Sequence, residues 1–122
     1  MPFPFEHLDV YKRSLDFVES IESLSSKLKG KASYSLIDQL TRAALSIPLN
    51  IAEGNGRWHK GEKRQFFWIA RGSVFECVPI VQVLYRKQLI DERQYAGYYA
   101  QLDVIAKMLT NLVKSVEDLK RE

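Results

Sequence analysis

A chain of 122 residues, 46% apolar and 27% charged, has the size and balance of one globular domain. A domain of this length removes roughly two-thirds of its unfolded surface from water, so it needs no structural metal or disulfide. The single cysteine, Cys77, cannot form an internal disulfide, and the chain shows neither a charged-then-apolar leader nor an apolar run of membrane-spanning length, which reads as a cytoplasmic protein with no membrane association.

Four segments carry helical periodicity, with no strand-like alternation between them. In the opening "MPFPFEH" the prolines exclude helix, while Phe3 and Phe5 can dock on a core. The first helix is expected over about 8–28, with Leu8, Tyr11, Leu15, Val18, Ile21, Leu24 and Leu28 three or four apart. Lys27, Lys29 and Lys31 complement its negative end, and Gly30 supplies a left-handed cap. The second, about 34–53, follows Ser33 as N-cap and gathers Leu36, Ile37, Leu40, Ala43, Ala44, Ile47 and Ile51 on one face. Pro48 predicts a kink in it, and Leu45, Leu49 and Ala52 form a second apolar ridge that suggests a subunit contact.

The third helix, about 62–88, has its core line in Phe66, Ala70, Ser73, Cys77, Ile80 and Leu84, with Trp68, Phe75 and Pro79 opposite. A helix apolar on both sides needs a second cover, which another copy of the chain can supply. Pro79 is expected to kink this helix without ending it. The fourth, about 92–119, repeats Tyr98, Leu102, Ile105, Leu109, Leu112, Val116 and Leu119 in steps of four and three. Short connections between such helices predict an all-α, antiparallel up-down-up-down four-helix bundle.

Arg42, Ser46, Asn50 and Glu53 make a polar stripe beside the core face of the second helix. A carboxylate near a helix C-terminus calls for a cation, and Arg57, Arg64 and Arg71 are available. The expectation is a structural network tying the second helix to the third, with Ser46 and Asn50 satisfying backbone groups freed by Pro48. Gly54-Asn55-Gly56 tolerates positive φ and should stop the helix and turn the chain. As a phosphate loop it lacks a Walker lysine and a preceding strand.

"RWHKGEKR" places Arg57, Lys60, Lys63 and Arg64 around Trp58, so the cations can meet phosphates while the indole stacks on a base; a solvated turn with Trp58 packed on the bundle end is equally compatible. Lys27, Lys29 and Lys31 with Arg86, Lys87 and Arg93 form a second basic cluster at the opposite end. Two basic ends without a sequence-reading motif point to backbone contacts. Catalytic groupings are poor: Cys77 lies on a core line, His7 and His59 are isolated, and no metal or cofactor site is expected. Glu53 and Glu76 can face one another in a bundle, but two carboxylates alone do not make an active site.

Together, "LDVYKRSLDFV", "QLTRAALSIPLNIAEGNGR", "FFWIARGSVFEC" and "VIAKMLTNLVKSV" resemble the four-helix-bundle proteins encoded in intervening sequences of bacterial large-subunit rRNA genes, the so-called ribosomal protein S23 family. The matching positions are Ser46, Asn50, Ile51, Ala52, Glu53, Gly54, Gly56, Arg57, Ala70, Gly72 and Ser73, with Pro79 a departure where many relatives carry helix formers. Accessory variability proteins of diversity-generating retroelements share the fold. The resemblance implies a homopentamer with a basic surface, nucleic-acid binding and no catalysis. The expected contacts are Arg57, Trp58, Lys60, Lys63, Arg64 and Arg71, and the expected subunit interface is Leu45, Leu49, Ala52, Trp68, Phe75 and Pro79. The alternative is a protein-binding scaffold, such as an accessory subunit of a reverse transcriptase.

Overall fold

The computed structural model describes residues 3–118. It contains a 3-10 turn, Pro4–His7, and four helices: α1 (Asp9–Leu28), α2 (Tyr34–Asn55), α3 (Lys60–Arg86) and α4 (Glu92–Glu117). α1 and α3 each pack on both α2 and α4, while the backbones of the diagonal pairs stay apart. With connections only at 29–33, 56–59 and 87–91, successive helices run antiparallel around a common core, which is the expected up-down-up-down bundle.

Local chemistry sets most of the boundaries. The Ser33 hydroxyl accepts the Leu36 N–H at 3.2 Å and starts α2. At α4, Gln94 N–H donates to Asp91 Oδ1 at 2.8 Å and Asp91 N–H donates to Gln94 Oε1 at 2.9 Å, a reciprocal capping box. The chain turns away just after α1 at Gly30, whose φ of 82° uses the freedom glycine has in the left-handed region. Pro4, expected to exclude helix, instead opens the 3-10 turn, where no N–H is required of it; the Glu6 carboxylate accepts the Phe3 N–H at 2.9 Å. Phe5 then meets the Tyr11 ring edge-on, 4.9 Å between centroids.

The core follows the expected faces of α2 and α4, with Leu40, Ile47, Ile51, Leu102, Ile105 and Leu109 at most 1% exposed. Leu119 lies outside the described residues. In α1 the face is shifted: Val10, Ser14, Phe17, Ile21, Leu24 and Leu28 are buried, whereas Leu15 is 38% exposed. Phe17 is fully buried, and a residue two positions away on a helix sits about 200° around it, so Leu15 is turned outward. In α3 the buried phenylalanine is Phe67, packed with Val113 and Val116, while Phe66 is half-buried.

Two helix ends differ from expectation. α2 continues through Gly54 to Asn55, and Gly56 has a φ of −80°, so this glycine pair does not use left-handed backbone. Gly54 is needed for proximity: a Cβ there would sit 2.7 Å from Phe67 Cε1 and 3.0 Å from Phe66 Cβ. α3 stops at Arg86, where Gln88 adopts a φ of 61°. Leu89 N–H donates to the Leu84 carbonyl at 3.0 Å and Gln88 N–H to that of Tyr85 at 2.9 Å, a Schellman closure with glutamine in the usual glycine position. Neither Pro48 nor Pro79 interrupts its helix.

The expectation that no apolar run reaches membrane-spanning length is corrected by α3, which contains a window of mean hydropathy 1.4. This window belongs to a helix packed between α2 and α4, with Ala70, Val74, Cys77, Val81 and Leu84 buried in the bundle. A core helix passes the same test of length and composition.

Candidate nucleic-acid interface

The turn from α2 to α3 brings Arg57, Trp58, Lys60, Lys63 and Arg64 to one end of the bundle. Arg57 Nη2 lies 2.9 Å from Glu53 Oε2, and its guanidinium stacks 4.6 Å from the Phe66 ring centroid. The cation required by Glu53 is therefore Arg57, one turn beyond it. Lys63 Nζ donates to the Asn55 carbonyl at 2.9 Å, placing a second cation on the carbonyl end of α2. Lys60 and Arg64 are half-buried, and Trp58 is 70% exposed. The cluster thus closes the helix hairpin and also presents an indole and cationic edges to solvent.

Arg71 stands apart, two turns along α3 from Arg64. Its Nε donates to Thr110 Oγ1 on α4 at 3.0 Å, and its guanidinium lies over Phe75 at 4.4 Å and Trp68 at 5.1 Å. These contacts pre-orient the guanidinium on an exposed aromatic face, where Trp68 is 46% and Phe75 53% exposed. Pro79 and Gly72 are exposed on the same helix, and a Cβ at Gly72 would meet nothing within 4 Å. On α2, Leu45 and Leu49 are exposed and Ala52 is half-buried. Leu49 and Ala52 line an open groove of about 610 Å³ with Phe3, Pro4, Phe5 and Arg57.

The polar stripe does tie α2 to α3, through different atoms than expected. Ser73 Oγ on α3 donates to Ser46 Oγ at 2.8 Å, and Asn50 Nδ2 donates to the Ser46 hydroxyl at 2.9 Å and the Ser46 carbonyl at 2.8 Å. The carbonyl freed by Pro48 belongs to Ala44, four residues back, so Asn50 does not satisfy it. Arg42 pairs within its own helix, with Asp38 at 3.1 Å, outside this network. Nothing in the single chain requires glycine at positions 56 and 72.

The Ser46–Ser73 contact also sets the register between antiparallel helices. It places Glu76 about 15 Å along the axis from the level of Glu53, so these carboxylates do not face one another. Among the described residues no group of three or more His, Cys, Asp and Glu side chains is arranged to hold a metal. Cys77 is completely buried, and desolvation, with a smaller effect of the Glu76 charge, pushes its thiol up to about 12. It is a core residue, as its position on the α3 stripe indicates. The aromatic partners Phe66 and Thr110's contact with Arg71 escaped sequence reasoning, because each joins residues on different helices or across a turn with no periodic signal.

Comparison with known proteins places these features in a family. The family model described as 23S rRNA-intervening sequence protein matches residues 6–111. No curated protein matches the chain. Among solved structures, the fold is similar to a protein of unknown function from the S23 ribosomal protein family of Bacteroides thetaiotaomicron, with a TM-score of 0.82 and 24% identity over 86% of this chain and 98% of that one. That likeness supports the shared four-helix fold, and the match over residues 6–111 gives the affiliation: the chain belongs to the 23S rRNA-intervening sequence protein family.

Proposed function

We propose that the protein is a non-enzymatic, cytoplasmic bundle that associates with copies of itself and binds RNA or DNA through phosphate contacts. The observation that carries this reading is the exposed Trp58 bracketed by Arg57, Lys60, Lys63 and Arg64 at the bundle end, with an indole face open to solvent. Cations meet phosphates without reading sequence, and an exposed ring stacks on any base. The buried, proton-retaining Cys77 and the separated Glu53 and Glu76 support a role without covalent chemistry. A salt titration with a structured RNA tests the electrostatic mechanism: log affinity should fall linearly with log salt, and an affinity that barely changes refutes it.

Association rests on two different faces, the Leu45–Leu49 ridge on α2 and the Trp68–Phe75–Pro79 ridge on α3. Unlike faces meeting head to tail close into a ring, which suits the pentamer implied by the family resemblance. Leu49→Asp and Trp68→Asp should each lower the solution mass; if both leave it unchanged, the ridges are not subunit contacts. Arg71, held between Trp68 and Phe75, favours a second reading as a protein-binding scaffold, because Trp and Arg are enriched at energetic centres of protein interfaces. Charge reversal of Arg57 and Arg64 separates the two readings. A scaffold keeps its protein partner, whereas a nucleic-acid binder loses part of its affinity and shows a smaller salt slope.

A further inference from the structure

The two ends of the bundle differ in charge far more than the basic motifs suggest. Among the described residues at the end holding the 56–59 turn, 3–12, 52–64 and 114–118, carboxylates and cations are equal in number. Two of those cations are committed locally, Arg57 to Glu53 and Lys63 to the Asn55 carbonyl. At the opposite end, residues 25–37 and 83–95 hold Lys27, Lys29, Lys31, Arg86, Lys87 and Arg93 against only Asp91 and Glu92. Asp91 is engaged as the α4 cap, accepting Gln94 N–H at 2.8 Å. All six cations are exposed, and none forms an ion pair with a described residue.

The two loops that carry them share one surface. Leu28 at the end of α1 and Ile90 in the 87–91 turn belong to the same buried cluster, with Ala32 and Leu89 packed against it. Each loop joins a pair of adjacent helices, whose axes in a bundle lie about 8–10 Å apart, so the two loops together crown one end with all six cations. Lys27 and Arg86 also complement the negative ends of α1 and α3, but that role leaves their charges in water. Beside them Tyr34 is 83% exposed over a groove of about 510 Å³ that includes Lys29. No fold contact of this domain demands an aromatic residue so open to solvent.

We infer that the end formed by the 29–33 and 87–91 loops is the principal polyanion-binding surface. Its lysines and arginines contact successive phosphates of a nucleic acid, and Tyr34 stacks on an unpaired base. The 56–59 turn supplies the smaller share of the binding. This rests on the nucleic-acid reading proposed above and assigns it a site.

The experiment uses the full chain and a labelled RNA hairpin with a single-stranded tail, titrated across salt. Lys27→Gln/Lys29→Gln/Lys31→Gln is compared with Arg57→Gln/Arg64→Gln, after circular dichroism confirms that both variants remain folded. The triple variant should weaken binding by at least about thirtyfold at physiological salt and reduce the salt slope by about two to three, while the double variant should remove only the smaller share, about three- to tenfold. Tyr34→Ala should weaken binding of the tailed hairpin by about tenfold and of a blunt duplex hardly at all. If the double variant loses binding and the triple variant keeps it, or if both lose equally, the assignment of the site is overturned while the nucleic-acid reading stands. A wild-type protein that binds no RNA or DNA at low salt overturns both. Equal competition by polyglutamate or by vesicles of anionic lipid overturns nucleic acid as the occupant.

Discussion

Gly54→Ala tests whether close approach of α2 to α3, and not backbone flexibility, accounts for this glycine. Alanine normally stabilises a helix interior by about 1 kcal/mol over glycine. Here the new methyl would lie 2.7 and 2.9 Å from Phe67 Cε1 and Cδ1 and 3.0 Å from Phe66 Cβ. Carbon atoms prefer about 3.5–4.0 Å, so the helices must part or the ring must move. Phe67 is 2% exposed and held by Val113 and Val116, and Phe66 Cβ is fixed to the α3 backbone, so neither yields cheaply. Because neither neighbour yields, the upper part of the overpacking range applies, about 2–3 kcal/mol, leaving a net destabilisation of about 1–2 kcal/mol after the helix-propensity gain of about 1 kcal/mol. Gly97 is the control, since a Cβ there meets nothing within 4 Å. Gly97→Ala should stabilise by about 0.5–1 kcal/mol. Thermal unfolding at one fixed protein concentration should show Tm falling by about 4–8 °C for Gly54→Ala and rising by about 2–4 °C for Gly97→Ala. In a Phe67→Leu background the alanine penalty should shrink by at least half. Equal stabilisation by both alanines would refute the close-approach argument.

Gln88→Gly should raise the urea midpoint, with a gain of about 0.5–1 kcal/mol, because glutamine at a φ of 61° carries a steric cost that glycine lacks; no change would mean that the Schellman turn is unstrained. Cys77 makes stability fall in alkali. The buried folded-state thiol, pushed up to about 12, keeps its proton while the unfolded thiol loses it near its ordinary value, so stability is full below that value and is lost as pH rises towards 12. Relative to Cys77→Ala, the wild type should lose about 2 kcal/mol between about pH 8 and pH 10, measured by urea unfolding; parallel pH profiles would contradict burial as the cause.

The bundle was legible wherever a single periodic stripe ran the length of a helix, as with Leu102, Ile105 and Leu109. It was misplaced where two stripes competed. In α1, Leu15 and Phe17 both continue an apolar line, and only the packing of α1 on α2 and α4 shows that Phe17 is the buried one. Turn chemistry was readable at Gly30 but not at Gln88, because a non-glycine residue gives no advance sign of left-handed backbone. The sequence marks Gly54 as a turn residue but not as a point of close approach, since proximity to Phe67 depends on the packing of two helices. The basic run around Trp58 was visible as charge, yet sequence spacing does not show that Arg57 is engaged by Glu53 and Phe66, or that Arg71 lies among the aromatic side chains of α3.

The seams between helices are unequal, and this gives the bundle a grain. The α2–α3 seam is the most extensive and the α1–α4 seam the slightest of the four. α2, α3 and α4 therefore form a continuous three-helix body, against which α1 is clasped along α2 and steadied at its start by Phe5 on Tyr11. Opening is least costly along the slight seam, so α1 amides should exchange with solvent through partial openings while the α2–α3 hairpin holds until the whole domain unfolds. The domain is in this sense a hairpin with two successive attachments, and α1 is the part it can release first.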